Sequence, residues 1–479
     1  MGNARQQTIL FLIADTGAGH RSAANAISNA IKIISQRQQE EWLQHEECAS
    51  DVQANGADDT IRPSPANYRI EIVDVFEEYS HFPLREAAKL YGPTIRYNPK
   101  LYGEVFRQSN HATTVNAVKT IATPMIMNGL LRLFTTVQPD IIVSIHPMLN
   151  HVTVHALQEL GLHIPFLTVV TDLVSVHYAW FAPGVDTYIV PTEQAKKLYL
   201  KRGLDAKRVH MLGMPIDPKF TLKVDEKERL QQKFGLTSGL PVILLIGGGD
   251  GAGGLQAAVR AISQARLPVQ LLVVTGRNKR LYTHLQRTRA SLHVNATIFG
   301  FVQNMPEIMH TADVIITKAG PGTICEALAC HLPIILSGYV PGQEEGNIDY
   351  VTSNKVGVLA MDPATLVDAL RRLVIPGSSE LRLFVENAKN LSRPMASFDI
   401  ATCILGNLPA STEIGIWQTP LSQRRKRLLS SRMRAAVRIR RIRPAISKKL
   451  VSGTLMRNPV VRRVRHLNIG HRPHNRILE

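Results

Sequence analysis

The chain has 479 residues, 44% hydrophobic and 20% charged, which is long enough for two or three apolar cores and excludes wholesale disorder. Its net charge of +18 is lopsided: residues 421–479 hold 18 Lys and Arg against one acid, whereas residues 1–420 hold 38 basic and 37 acidic residues. No apolar run approaches the roughly 18 residues that cross a bilayer, and the amino-terminal run is strand-sized and stops at Asp15, too short for a secretory signal.

In chain order, the apolar run 9–14 is followed by a Gly-rich turn and a helical pattern over about 22–34, a strand, loop and helix. Residues 36–67 are polar and aperiodic and are expected to be a mobile insertion. Strands are expected at 70–75, 140–145, 166–170, 187–190 and 209–212, and then, past the proline-bearing hinge 213–218, at 242–246, 269–275, 297–299, 314–317 and 334–336. Strands alternating with helices predict an α/β fold of two doubly wound sheets facing a cleft, with ligands at the carboxyl ends of the strands. The expected domains are 1–214 (containing the 36–67 insertion), 215–395, a returning helix and linker at 396–420, and the basic tail 421–479.

Four loops carry chemistry. The first, Asp15-Thr16-Gly17-Ala18-Gly19-His20-Arg21-Ser22, puts a Gly turn at a helix amino terminus, where backbone can approach an anionic ligand. His20 there can take a proton from an acceptor hydroxyl, although a histidine at a helix start can equally cap or pack. In the second, residues 249–254 match GxGxxG, but the acid expected about twenty residues on is missing, and a tight turn explains these glycines equally well. In the third, Gly320, Gly322 and Thr323 lie between a strand and a helix and suit a diphosphate. Glu326, one turn on, suits ribose hydroxyls or simply the helix dipole. The fourth, 341–350, offers Gln343, Glu344 and Asn347, a cluster fit for sugar hydroxyls or for a solvated helix start.

In the tail, Arg424, Arg425, Arg427, Arg434, Arg438 and Arg441 alternate with Leu, Met and Val near helical spacing until Pro444. An interfacial helix on anionic lipid is expected, with a solvated tail or phosphate binding as alternatives. The tail has no aromatic residue to stack on bases, which weighs against single-stranded nucleic acid. The four cysteines contain no CxxC pair and are read as reduced and structural, with no zinc site.

The ordered combination DTGAGHRSAANAI, SIHPMLNH, TVVTDLVSVHYAWFAPGVD, IGGGDGAGG, GFVQNMPEIM, KAGPGTICEAL and PGQEEGNIDYV closely resembles the monogalactosyldiacylglycerol synthase family of glycosyltransferase family 28, over nearly all of 8–360. The resemblance implies a GT-B fold and an inverting hexosyltransferase that moves a sugar from a UDP-sugar to 1,2-diacylglycerol at the cytoplasmic face of a membrane. It implies no metal or cofactor. By motif match His20 is the general base, and Gly17, Gly19, Gly248 and Gly249 bring backbone to the donor. Phe301 and Val302 contact the uracil, and Gly320, Gly322 and Thr323 hold the diphosphate. Glu326 then contacts the ribose, and Gln343, Glu344 and Asn347 the hexose. The chain departs from the family at Ala18, where a third glycine is usual, and over 79–107, the expected acceptor region. Within the same fold, a UDP-glucose-dependent diacylglycerol glucosyltransferase, a transferase for polyprenyl-linked cell-wall precursors and a UDP-sugar epimerase are the alternatives. A nucleic-acid-binding module is the alternative from another class. The residues fix neither the donor hexose nor an oligomeric state.

Overall fold

The computed structural model describes residues 6–17, 19–52, 66–80, 85–86, 94, 98–222, 225–247, 254–410 and 417. In the first half, the strands are β1 (Gln7–Ile13), β2 (Tyr68–Asp74), β3 (Ile141–Ser144), β4 (Phe166–Val169), β5 (Thr187–Val190) and β6 (Val209–Met211). The helices described beside them are α1 (Gly19–Val52), α2 (Val75–Tyr79), α3 (Pro99–Ser109), α4 (Ala112–Val137), α5 (Pro147–Leu160) and α6 (Glu193–Lys201).

After α7 (Lys227–Lys233), the second half alternates β7 (Val242–Ile246), α8 (Leu255–Ala265), β8 (Gln270–Val274), α9 (Lys279–Thr288), β9 (Asn295–Phe299) and α10 (Met305–Thr311). It continues through β10 (Val314–Lys318), α11 (Pro321–Ala329), β11 (Ile334–Gly338), α12 (Glu345–Ser353) and β12 (Gly357–Leu359). Helices α13 (Pro363–Val374), α14 (Ser379–Leu391) and α15 (Ala396–Gly406) close it.

Both sheets are parallel and six-stranded, ordered β2-β1-β3-β4-β5-β6 and β12-β11-β10-β7-β8-β9. Strands such as β1 (QTILFLI) and β7 (VILLI) are buried along their whole length, the unbroken apolar pattern of a sheet covered on both faces. Strand order reverses between β1 and β3 in one sheet and between β7 and β10 in the other. At such a reversal the loops after neighbouring strands diverge to opposite faces and leave a crevice. The loops holding His20 and Gly320 follow β1 and β10, so each lies at a reversal point.

Two expectations are corrected. Residues 36–52 are not an irregular insertion but the continuation of α1. Its first four turns are held by buried Ala23, Ala24, Ile27, Ala30 and Ile31. Beyond them the Gln- and Glu-rich run, which has no apolar face, continues on helix propensity; the rest of the expected insertion, 53–65, lies outside the described residues. Strand β12 was not anticipated: it opens on Gly357, and a glycine interrupts the run of apolar side chains that marks a strand. The tail, with Arg424, Arg425, Arg427, Arg434, Arg438 and Arg441, lies outside the described residues.

After the second sheet the chain returns. Phe398, Ile400, Ala401 and Ile404 of α15 join the core formed by β1 and the buried face of α1.

Candidate active site

His20 is the second residue of α1 and faces its own sheet's reversal point. The Thr171 hydroxyl, just past β4, lies 3.2 Å from its Nδ1. Burial lowers the His20 pKa to about 4, against the opposing pull of a hydrogen bond with the Ile145 backbone and of the Asp15 charge. The imidazole is therefore neutral at physiological pH and holds a lone pair able to accept a proton. Gly17 has φ 96°, a left-handed conformation that β-carbon-bearing residues avoid. Around Gly19 no atom stands within 4 Å of where a Cβ would lie, so backbone is open to a ligand there.

A second histidine completes this corner. His146, after β3, lies edge to face with His20 at a ring separation of 4.8 Å. Its Nδ1 accepts from the Met148 N–H at 3.4 Å, which puts the proton of the neutral ring on Nε2, 3.2 Å from the Thr16 hydroxyl. Burial, reinforced by His20, holds its pKa well below the ordinary value. Nearby, Asp172 accepts from Trp180 Nε1 at 2.8 Å and from the His177 N–H at 3.1 Å, and Trp180 lies 6.5 Å from the His20 ring.

In the second half, Gly320 is the N-cap of α11, and Gly322 has open space at its Cβ position. The N–H groups at the start of this helix, with Thr323 beside them, form a cradle for an anion. Lys318, the last residue of β10, stands over the cradle, with its Nζ 3.2 Å from where a Gly320 Cβ would be. Its ammonium pairs with Glu344. Glu344 is only 4% exposed, and its other oxygen accepts the Val340 N–H at 2.8 Å.

Glu326 lies one turn into α11. Burial, and then the charge of Asp217, raise its pKa to about 7. Phe301 is 62% exposed, with the Arg277 guanidinium 5.2 Å above its ring. Val302 is partly buried and packs against the core that includes Leu244 and Ile315 of the second sheet. Asn347 is buried and donates to the Ala319 carbonyl at 2.8 Å. Gln343 accepts from the Tyr102 hydroxyl at 2.9 Å.

Thus His20 lies at one reversal point, with Gly17 and Gly19 in the loop before it. Gly320, Gly322, Thr323, Glu326, Gln343, Glu344 and Asn347 gather at the other. Gly248 and Gly249 lie outside the described residues. Glu344 and Asn347, expected to hold a sugar, also hydrogen-bond the loops that flank the cradle. Four residues went unnoticed in the sequence: His146, Thr171, Lys318 and Tyr102. The first three stand in motifs already quoted, at or just past strand ends. Tyr102 had no signal, since its partner lies 241 residues away. Among the described residues no cluster of three or more His, Cys, Asp or Glu has metal-ligating geometry, and no helix is long and apolar enough to cross a membrane.

Comparison with known proteins matches residues 45–216 to the monogalactosyldiacylglycerol (MGDG) synthase family and residues 242–358 to the glycosyltransferase family 28 C-terminal domain. The chain is 35% identical over 413 residues to monogalactosyldiacylglycerol synthase 3, chloroplastic, of Arabidopsis thaliana, covering 84% of this chain and 81% of that one. It is 34% identical over 409 residues to monogalactosyldiacylglycerol synthase, chloroplastic, of Spinacia oleracea, covering 82% and 71%. Among solved structures it is similar to MurG of Acinetobacter baumannii (TM-score 0.51, 15% identity, 84% and 99% covered). It is also similar to S. aureus MnaA in a UDP co-structure (TM-score 0.50, 15% identity, 84% and 98% covered). These likenesses and the two six-stranded parallel sheets identify the GT-B fold.

Proposed function

Because this chain belongs to the monogalactosyldiacylglycerol synthase family, we propose that it transfers galactose from UDP-galactose to the free hydroxyl of 1,2-diacylglycerol, with inversion, to give monogalactosyldiacylglycerol. The observation that carries the reading is the pairing of a neutral, desolvated His20 at one reversal point with the Lys318-capped anion cradle at the other. The acceptor hydroxyl gives its proton to the unprotonated nitrogen of His20 as its oxygen bonds to the anomeric carbon. The bond from that carbon to the diphosphate oxygen breaks on the opposite face, and its electron pair leaves with UDP. Thr171 fixes the imidazole through Nδ1.

Negative charge grows on the diphosphate as it leaves. The N–H groups at the start of α11 and the Lys318 ammonium take it up, and in this scheme they do so without a metal. Glu326 accepts hydrogen bonds from the ribose, Phe301 stacks on the uracil, and Gln343 contacts the hexose. The arginines of the tail, Arg424 to Arg441, hold the enzyme on an anionic lipid surface where its acceptor resides.

The deciding experiment offers UDP-galactose and UDP-glucose in parallel to diacylglycerol in anionic vesicles and identifies the lipid product. A β-galactosyl lipid is expected. A glucosyl lipid alone refutes the donor, and no product from protein that still binds UDP refutes the acceptor.

A further inference from the structure

Helix α3 belongs to the first half, yet one of its faces rests on the sugar-side loop of the second. Gly103 is buried there, with Pro341 Cβ 2.6 Å and the Pro341 carbonyl oxygen 3.0 Å from where a Gly103 Cβ would be. On the other side of the contact Gly342 has φ +78°, with the Gly103 carbonyl oxygen 2.9 Å and Phe106 Cδ1 3.2 Å from its own Cβ position. Two glycines, one from each half, thus let backbone meet backbone. Polar contacts flank them: the Tyr102 hydroxyl donates to Gln343 Oε1 at 2.9 Å, and Arg107 Nη1 lies 3.1 Å from Glu345 Oε1. The opposite face of α3 carries Leu101 and Val105, 54% and 56% exposed. A second approach lies just beyond that loop, at the start of α12, where the Ser175 hydroxyl stands against the Cβ position of Gly346.

We propose that Tyr102 is a positioning residue for donor-sugar selection, its hydroxyl locking the Gln343 carboxamide in the orientation that reads the hexose. The inference rests on the galactosyltransfer reading above. The oxygen and nitrogen of a carboxamide diverge by about 120° in one plane, so fixing the acceptor end fixes where its two donors point. Galactose and glucose present the same hydrogen-bonding groups and differ in the direction of one hydroxyl. A freely turning carboxamide adapts to either, whereas a locked one favours the sugar whose hydroxyl meets it. Because the lock comes from α3, sugar recognition is completed by a residue of the half that holds His20, and the close fit of Gly103 against Pro341 sets its register.

The test uses the full chain and binding rather than turnover. Tyr102→Phe keeps the ring and removes the hydroxyl. Calorimetric titration with UDP-galactose, UDP-glucose and UDP is expected to show UDP-galactose weakened by about 5-fold, the effect of one hydrogen bond. UDP itself should stay within about 2-fold, and the galactose-to-glucose preference should fall by the same 5-fold. Gly103→Ala, which pushes α3 off Pro341, should give the same pattern. In a double-mutant cycle, Tyr102→Phe should cost less on top of Gln343→Leu than it costs alone.

Equal weakening of UDP and UDP-galactose, an unchanged sugar preference, or full additivity in the cycle overturns the proposal. None of these readouts involves lipid. A wild-type protein that binds UDP-galactose but transfers nothing to diacylglycerol therefore refutes the acceptor reading alone.

Discussion

Glu326 is held partly ionised in an environment that resists its charge, and this ties stability to donor binding in opposite directions. Raising a carboxyl from 4.5 to about 7 corresponds to roughly 3 kcal/mol disfavouring the charged form. In the unfolded chain the group ionises near its ordinary value. Below about pH 4.5 both states are protonated and the residue contributes nothing to pH dependence. Between there and about pH 7 the unfolded state alone ionises, and the penalty on the native state grows until it is complete above pH 7. Glu326→Gln should therefore make the empty protein more stable by up to about 3 kcal/mol at pH 8, with the two melting or urea-denaturation curves converging as pH falls toward 4.5.

The same substitution removes a carboxylate able to accept charge-assisted hydrogen bonds from the ribose, worth about 1.5–3 kcal/mol, or a roughly 10- to 100-fold loss of UDP affinity. In the wild type, UDP affinity should weaken as pH drops below about 7, because the carboxyl is then neutral before nucleotide arrives. Denaturation curves and calorimetric titrations at pH 8, 7, 6 and 5 measure both arms. A variant no more stable than wild type at pH 8, or one that binds UDP equally well, refutes the reasoning.

His20→Ala should lower turnover by about 100-fold or more, the ordinary contribution of a general base, while calorimetry finds UDP affinity within about 2-fold of wild type; undiminished turnover removes the residue from the chemistry. At saturating donor the rate should stay level from pH 8 to pH 5 and fall only as pH drops through about 4, where the depressed imidazole finally protonates; an acid limb near 6.5 would contradict the desolvated site. Lys318→Met strands the buried Glu344 carboxylate and should destabilise the protein by about 3 kcal/mol. The Lys318→Met/Glu344→Gln double variant should regain most of that stability in denaturant titrations without regaining UDP affinity. Deleting the chain from Leu421 should weaken sedimentation with anionic vesicles, and equal binding by the truncated protein would exclude the tail from membrane attachment.

Much of this architecture was legible because parallel strands buried on both faces read as unbroken apolar runs, and Gly-rich turns marked the loops that follow them. Those loops also gave away His20 and the cradle at Gly320 and Gly322. Periodicity misread 36–52 because its sequence, rich in Gln and Glu, repeats no apolar residue at helical spacing, and such a run has no period to detect. The loop contacts of Glu344 and Asn347 were hidden for another reason: a polar residue looks the same in sequence whatever it hydrogen-bonds, and only the structure shows these two buried against the loops around the cradle. Tyr102 was invisible because its meaning is a contact between halves. Such contacts leave no local pattern.

The chain crosses between the two halves twice, once near Gly213 and again where α14 gives way to α15. The crossings touch: Gly213, at φ +102°, has Ala396 Cβ and Arg393 Cβ at 2.8 and 2.9 Å from where its own Cβ would be, and the Ser397 hydroxyl donates to the Ile216 carbonyl. Two adjacent links constrain two rigid bodies as a pair of pins constrains a door. Sliding and twisting are suppressed, and the motion left easy is a swing about the line through the pins. A single linker would let the halves approach in many orientations, most of which bring His20 nowhere near a sugar held at the far cradle. Paired links narrow the relative orientations open to the two halves.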